Sequence, residues 1–311
     1  MALVTISDIR AAAGLIAPVV VRTPLLRFDD RLSLKPESLQ PVGAFKIRGA
    51  YHALARLSDA RRARGVVAYS SGNHAQAVAF AAREFGVPAV IVVPENAPEV
   101  KVAATRAWGA EVVLVPMARR ESRAHELVEE RGATLIPPFD HVDVIAGQGT
   151  VGLEVVEDAP AVEVVLVPVS GGGLVSGVAA AVKAVRPAAR VVGVEPALAA
   201  DAAASLRAGA LVRWPAADRE RTSADGLRAE PSELTFAHIR ALVDEFVTVT
   251  EEEIAEAVRQ LARRSRLVVE PSGAVAVAAH LAHAGRWPER TVAVVTGGNV
   301  DPAAYLRLLA G

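Results

Sequence analysis

The chain has 311 residues, 52% hydrophobic and 22% charged, with a formal net charge of −1. That length allows one large domain or two ordinary ones, and interspersed charge of near-zero sum leaves no footprint for nucleic acid or an anionic membrane. Cysteine is absent, which removes disulfides, thiolate catalysis and cysteine metal sites, and no run is apolar and long enough to be a signal peptide or membrane span, so a cytoplasmic protein is expected.

The first predicted element is a helix capped by Ser7 and running to about Ile16, ended by Arg22-Thr23-Pro24. Leu32-Ser33-Leu34-Lys35 alternates as a strand does, with Lys35 lining one face. A Pro/Gly turn then leads into Phe45-Lys46-Ile47-Arg48-Gly49-Ala50, which opens a helix. Beyond it, short Val/Ile/Leu runs alternate with Ala-rich helical stretches. The runs cover 65–69, 88–93, 111–115, 134–136, 162–167, 191–194 and 291–295, and helical patterns cover 75–85, 99–108, 120–131, 175–185 and 251–263. Continuous β-branched runs separated by helices describe strands covered on both faces, hence an α/β protein with largely parallel sheets. Pro137-Pro138 and Gly147-Gln148-Gly149 punctuate the middle, and the polar stretch 213–228 reads as an excursion.

Lysine usage singles out one position. Only four of the 34 basic side chains are lysine: Lys35, Lys46, Lys101 and Lys183. Arginine carries a solvated charge equally well, but it cannot lose its proton and attack a carbonyl, whereas a desolvated lysine can. Lys101 and Lys183 fall in helical patterns and read as solvated surface residues. Lys46 opens a helix after a turn, among small and apolar neighbours, and is the candidate nucleophile.

In parallel sheets ligands gather at the carboxyl ends of strands. After the run 65–69 comes Ser70-Ser71-Gly72-Asn73-His74, which offers hydroxyls, an amide and helix-start N–H groups to a carboxylate. After 162–167 comes Ser170-Gly171-Gly172-Gly173-Leu174, whose bare N–H groups at a helix start suit a phosphate. A dinucleotide could use such a loop, and Glu195 ends the next strand as that reading requires; Gly171, Gly173 and Ser176 miss its glycine spacing. After 291–295 comes Thr296-Gly297-Gly298-Asn299-Val300-Asp301, a hydroxyl and two glycines that could face a flat ring. Lysine, phosphate cradle and ring-facing hydroxyl together describe pyridoxal 5'-phosphate.

Phe-Lys-Ile-Arg-Gly-Ala (45–50), Ser-Ser-Gly-Asn-His (70–74), Ala-Gly-Gln-Gly-Thr (146–150) and Gly-Gly-Asn-Val (297–300) together resemble the threonine/serine dehydratase and serine racemase family of pyridoxal-phosphate enzymes, of the tryptophan-synthase-β-like fold (fold type II). The similarity runs from about Ile6 to about Asp301. The resemblance implies a large cofactor-binding domain from 1–60 and 145–311 and a small domain from 61–144. It implies that Lys46 joins the cofactor's aldehyde and later acts as base at Cα. Asn73 would meet the ring's 3-hydroxyl, Phe45 would pack against the ring, Ser170, Gly171, Gly172, Gly173 and Leu174 would hold the phosphate, Thr296 would meet the pyridine nitrogen and Gly226 would lie beside the ring. Ser70, Ser71, Asn73 and His74 would take the substrate carboxylate. Glu195, Ala199 (by its carbonyl) and Asp201 match a divalent-cation site, for which Mg²⁺, Mn²⁺ or Ca²⁺ suits such oxygen ligands.

The implied reaction is α,β-elimination of the hydroxyl from L-threonine or L-serine, giving a 2-oxo acid and ammonia, in a homodimer or homotetramer. Ser71 matches the second base of the racemases, and Arg123 an arginine of serine racemases and 3-hydroxyaspartate dehydratases. Serine racemisation or threo-3-hydroxyaspartate dehydration is therefore the alternative. Ala44, where Ser or Thr is common, leaves room for a dehydratase of hydroxyectoine breakdown. Ser170 replaces the first of four glycines, 28–32 is short, which should trim a hairpin, and the end at Gly311 leaves no room for a regulatory domain.

Overall fold

The computed structural model describes residues 2–70, 72–97 and 99–310. Among them ten strands form two sheets: β1 (Leu26–Arg27), β2 (Leu32–Pro36), β3 (Val66–Tyr69), β4 (Ala89–Pro94), β5 (Glu111–Val115), β6 (Thr134–Leu135), β7 (Val164–Pro168), β8 (Arg190–Pro196), β9 (Glu245–Val249) and β10 (Thr291–Val295). The larger sheet has the order β1-β2-β10-β7-β8-β9 and the smaller β5-β4-β3-β6. Every pairing is parallel except the β1–β2 hairpin. The central strands are buried along their whole length, as β-branched runs covered by helices on both faces must be.

Residues 28–32 do form the hairpin turn, with Phe28 N–H donating to the Leu32 carbonyl at 2.9 Å. The helix Lys46–Ala55 packs on the smaller sheet. Its Ile47, Ala50 and Leu54 share a core with Val66 and Ala68 of β3 and Ile91 and Val93 of β4.

Several expectations are corrected. Thr5, not Ser7, caps the helix Ile6–Ile16, in a reciprocal capping box with Asp8. Gly147-Gln148-Gly149 is no punctuation: it lies inside the 17-residue helix Val142–Asp158. A Cβ at Gly147 would stand 2.5 Å from the Arg48 carbonyl oxygen, and one at Gly149 2.9 Å from that of Gly177. These glycines let one helix press closely against both the Lys46 helix and the helix Gly173–Val185. The pattern over 251–263 yields an α-helix only over Glu251–Gln260, and Leu261–Ser265 unwinds into a π turn.

Lys101 and Lys183 are not free surface cations either, and Lys35, on its strand, is engaged in the interior. Lys35 is fully buried and pairs with Glu154 at 2.6 Å, Lys183 pairs with Asp244 at 2.7 Å, and Lys101 pairs with Asp225. Among the described residues no helix is long and apolar enough to cross a membrane.

Candidate active site

Three strand ends and one turn converge. The turn before Lys46 is pinned to the loop after β10: Phe45 N–H donates to the Thr296 carbonyl at 3.0 Å, and Gly298 N–H to that of Gly43 at 2.9 Å. Lys46 is thereby carried to the carboxyl edge of the larger sheet. Its side chain is partly buried, and Nζ donates to the Pro138 carbonyl at 2.7 Å. Desolvation lowers the amine to about 8, so roughly a tenth of it is neutral at pH 7, far more than for an ordinary lysine.

The loop after β3 faces the same space. His74 is buried, its Nε2 lies 2.8 Å from the Ile136 carbonyl, and its Nδ1 has no partner among the described residues. Burial, with Lys46 adding to it, pulls this imidazole down to about 3. It is therefore neutral and gives a carboxylate no positive charge. If Nε2 carries the proton donated to Ile136, Nδ1 is an acceptor. Ser70 Oγ accepts from Gly72 N–H at 3.2 Å. Ser71 lies outside the described residues.

Asn73 is held at both ends of its amide. Asn299 Nδ2 donates to its Oδ1 at 2.8 Å, and its own Nδ2 donates to Glu270 Oε1 at 2.5 Å. Glu270 is 3% exposed, and burial pushes its carboxyl up to about 7. Thr296, also buried, sends its hydroxyl to the Ser272 carbonyl at 3.3 Å, and Ser272 Oγ accepts from Gly226 N–H at 2.9 Å. Thr296 and Gly226 thus meet through Ser272.

The glycine loop follows β7. Gly172 has φ of +87°, a conformation open to glycine, while Ser170 keeps an ordinary φ, which removes the objection to its side chain there. Ser170 Oγ is used within the fold, accepting from Ala229 N–H at 3.0 Å. Phe139 lies so close that a Cβ at Gly171 would stand 2.4 Å from its ring. The segment that receives Lys46 is therefore also packed on the glycine loop. Among the described residues no protein acceptor takes the N–H groups of Gly171, Gly172, Gly173 and Leu174, which open a 13-residue helix. A cradle of bare donors, a desolvated amine and a buried hydroxyl fit pyridoxal phosphate.

Residues 16–297 match the model of the pyridoxal-phosphate dependent enzyme family. The chain belongs to that family. It is 45% identical to an L-threonine ammonia-lyase of Thermotoga maritima, over 96% of this chain and 76% of that protein. It is 41% identical to the L-threo-3-hydroxyaspartate ammonia-lyase of Saccharomyces cerevisiae, over 99% and 97%. The structure of maize serine racemase superposes with a TM-score of 0.93 at 39% identity, covering 99% of this chain and 98% of that one. The family and fold read from the motifs are borne out.

Of the other expected residues, Arg123 and Glu195 are engaged by groups of the protein itself. Arg123 is held by glutamates of its own helix, Glu126 at 2.9 Å and Glu130 at 2.6 Å. Glu195, at the end of β8, accepts from the N–H groups of Ala202 and Ala203 at 3.1 and 2.7 Å. Ala199 and Asp201 are buried beside it, and Asp201 Oδ2 has no partner among the described residues. Burial, and then the Asp201 charge, raises the Glu195 carboxyl well above its ordinary range; burial pushes Asp201 up to about 6. Two buried acids with an orphan oxygen are a fit for a hard cation. Among the described residues no three acidic or histidine side chains converge, so such an ion would rest on two carboxylates and a carbonyl.

Sequence reasoning missed Glu270 and the role of Asn299. The signal for Glu270 was an acid directly before a helix-starting proline, Pro271, at the N-cap position.

Proposed function

We propose that this family member is an ammonia-lyase that converts L-threonine or L-serine to a 2-oxo acid and ammonia. The observation that carries it is the placement of Lys46: a desolvated amine faces the neutral His74 on one side and is tied through Pro138 and Phe139 to the glycine loop on the other.

The cofactor, when bound, supplies an electron sink that acidifies the substrate's Cα–H. The N–H groups from Ser170 to Leu174 would hold its phosphate, Asn73 would serve its 3-hydroxyl, Phe45 and Gly226 would border the ring, and Thr296 would serve the ring nitrogen. A neutral threonine hydroxyl there, rather than a carboxylate, favours elimination over transamination. Ser70, Ser71 and the N–H groups of Asn73 and His74 receive the substrate carboxylate. Nζ of Lys46 takes the Cα proton, the β-hydroxyl leaves as water after protonation, and the resulting enamine hydrolyses to oxo acid and ammonia. Burial around Lys46 keeps its amine competent as a base.

Glu195, Asp201 and the Ala199 carbonyl hold a divalent cation in this reading, remote from the proton transfers. Residues 1–60 and 145–311 serve as the cofactor domain and 61–144 as the small domain, in a cytoplasmic homodimer or homotetramer.

The second reading is serine racemisation or threo-3-hydroxyaspartate dehydration, supported by the yeast and maize relatives. A hydroxyectoine-derived substrate ranks below both. Oxo-acid, ammonia and chiral assays over L-threonine, L-serine, D-serine and 3-hydroxyaspartate separate them. Oxo acid from L-threonine or L-serine is expected; cofactor bound without any turnover of these would reject the proposal.

A further inference from the structure

Of the four lysines, Lys46 faces the pocket, Lys35 is locked to Glu154 and Lys183 to Asp244. Lys101 remains. It lies on the helix Glu99–Ala107 beside the smaller sheet, and its ammonium reaches Asp225, 124 residues on, in the turn next to Gly226. A Cβ built on Gly72 would lie 3.9 Å from Lys101 Nζ, so the pair adjoins the loop proposed to take the substrate. Lys101 and Asp225 also share a cavity of about 500 Å³ with Glu270 and Asn299, the two side chains that hold the Asn73 amide.

The orientation of that amide depends on charge. Asn73 Nδ2 donates to Glu270 Oε1, which requires Glu270 to accept; a protonated carboxyl is the weaker acceptor and can offer an O–H instead. Burial favours protonation of Glu270, Asp225 adds to that push, and Lys101 and then the Asn73 hydrogen bond oppose it. Other charged groups line the same cavity. Arg259, on the helix Glu251–Gln260, is engaged by Glu256 at 2.8 Å, Asp301 accepts from Ala304 N–H at 2.8 Å, and Arg307 projects from the helix Pro302–Ala310. The cation in direct contact with Asp225 is Lys101.

We propose that Lys101 is a positioning residue of the cofactor pocket: by neutralising Asp225 it keeps the Glu270 carboxylate available to hold the Asn73 amide toward the ring's 3-hydroxyl. The destination of the amide rests on the cofactor reading above; the coupling of Lys101, Asp225 and Glu270 does not. Lysine is not essential in this role, since any cation that reaches Asp225 would serve.

The test is an infrared titration of the Glu270 carboxyl in the full chain loaded with pyridoxal phosphate, the band being assigned by its loss in Glu270→Gln. Lys101→Met is expected to raise the midpoint by about one pH unit, and Lys101→Arg to leave it in place. The double variant Lys101→Met/Asp225→Asn should return the midpoint toward wild type, because the charge that Lys101 offsets is gone. In parallel, kcat of Lys101→Met should fall about fivefold at pH 7, as the ionised fraction of Glu270 drops from about one half to about a tenth, and recover as pH rises, following the same midpoint. An unchanged midpoint in Lys101→Met overturns the proposal. So does a double variant shifted as far as the single one, which is what a merely structural clasp would give. The infrared midpoint needs no turnover, so a wild type that makes no oxo acid would reject the ammonia-lyase reading and leave this coupling intact.

Discussion

Arg48 and Glu37 are both fully buried and share two hydrogen bonds, Nε to Oε2 at 2.7 Å and Nη2 to Oε1 at 2.8 Å. The same guanidinium donates to both oxygens of Glu154, which also receives Lys35, so two cations and two carboxylates close a network out of water. Burial alone would raise the Glu37 carboxyl, but Arg48 and then Lys35 hold it below its ordinary range. Arg48 sits two residues from Lys46 in the first turn of the same helix. Removing one partner strands the others, and such losses cost about 3–5 kcal/mol. Arg48→Met is expected to lose that much in denaturant unfolding. Arg48→Lys should recover only part of it, because an ammonium cannot bridge two carboxylates bidentately.

Lys46 should show its depressed basicity directly. With the amine at about 8, the neutral, nucleophilic fraction rises through that pH, well below an ordinary lysine. Reductive trapping of pyridoxal phosphate by borohydride, followed by peptide mapping, is expected to place the label on Lys46 with a yield that climbs with a midpoint near 8. Lys46→Ala should abolish it, and a label on Lys101 or Lys183 would count against the site. Stability has a matching sign. The unfolded chain holds the Lys46 proton up to its ordinary, higher pKa, so stability rises with pH above about 8 as the folded protein sheds it.

Much of this fold was legible as buried runs. The runs 111–115 and 291–295 coincide with β5 and β10, and the strand ends led straight to the three loops of the pocket. β9 escaped because it is an edge strand with polar Glu245 and Thr248 breaking the apolar run. Gly147 and Gly149 were misread because a glycine needed for helix–helix approach and a glycine that ends a helix look alike without the neighbouring helix. Lys101 and Glu270 were missed for a different reason: their partners Asp225 and Asn73 lie 124 and 197 residues away, and no local pattern records a long-range charge pair.

His74 predicts an acid weakness. Its folded pKa of about 3 lies far below an ordinary histidine, so below about pH 6.5 the unfolded state binds a proton that the folded state refuses. Stability is therefore fully present above that pH and is lost as pH falls toward 3. Between pH 7 and about 5 the loss attributable to this residue is roughly 2 kcal/mol. Denaturant midpoints of wild type and His74→Gln, compared at both pH values, check it: the variant should lose less.

The glycine loop should tolerate no side chain at 171. A Cβ there would stand 2.4 Å from the Phe139 ring, and Phe139 follows the residue that receives Lys46. Overpacking of this kind costs about 1–3 kcal/mol. Gly171→Ala is expected to weaken pyridoxal-phosphate binding, measured by equilibrium dialysis. Adding Phe139→Leu should restore part of the affinity by making room.

Glu195 and Asp201 give the acid pair a signature that separates a cation site from a structural one. Without a cation their raised pKa values mean that the folded state keeps protons that the unfolded state releases, so stability declines as pH rises from about 4, through about 6 for Asp201, with Glu195 acting in the same direction. A divalent cation must displace those protons, so its stabilisation should be small at about pH 5 and large at about pH 8. Thermal unfolding with millimolar Mg²⁺, Mn²⁺ or Ca²⁺ against a chelator is expected to show that growth, worth about 2.7 kcal/mol at a concentration a hundred times the Kd. Asp201→Asn removes one of two buried like charges. It should therefore leave the cation-free protein as stable as wild type or more so at about pH 8, while abolishing the cation response. A chelator-insensitive wild type, or an Asp201→Asn protein destabilised equally with and without cation, would mark the two acids as purely structural.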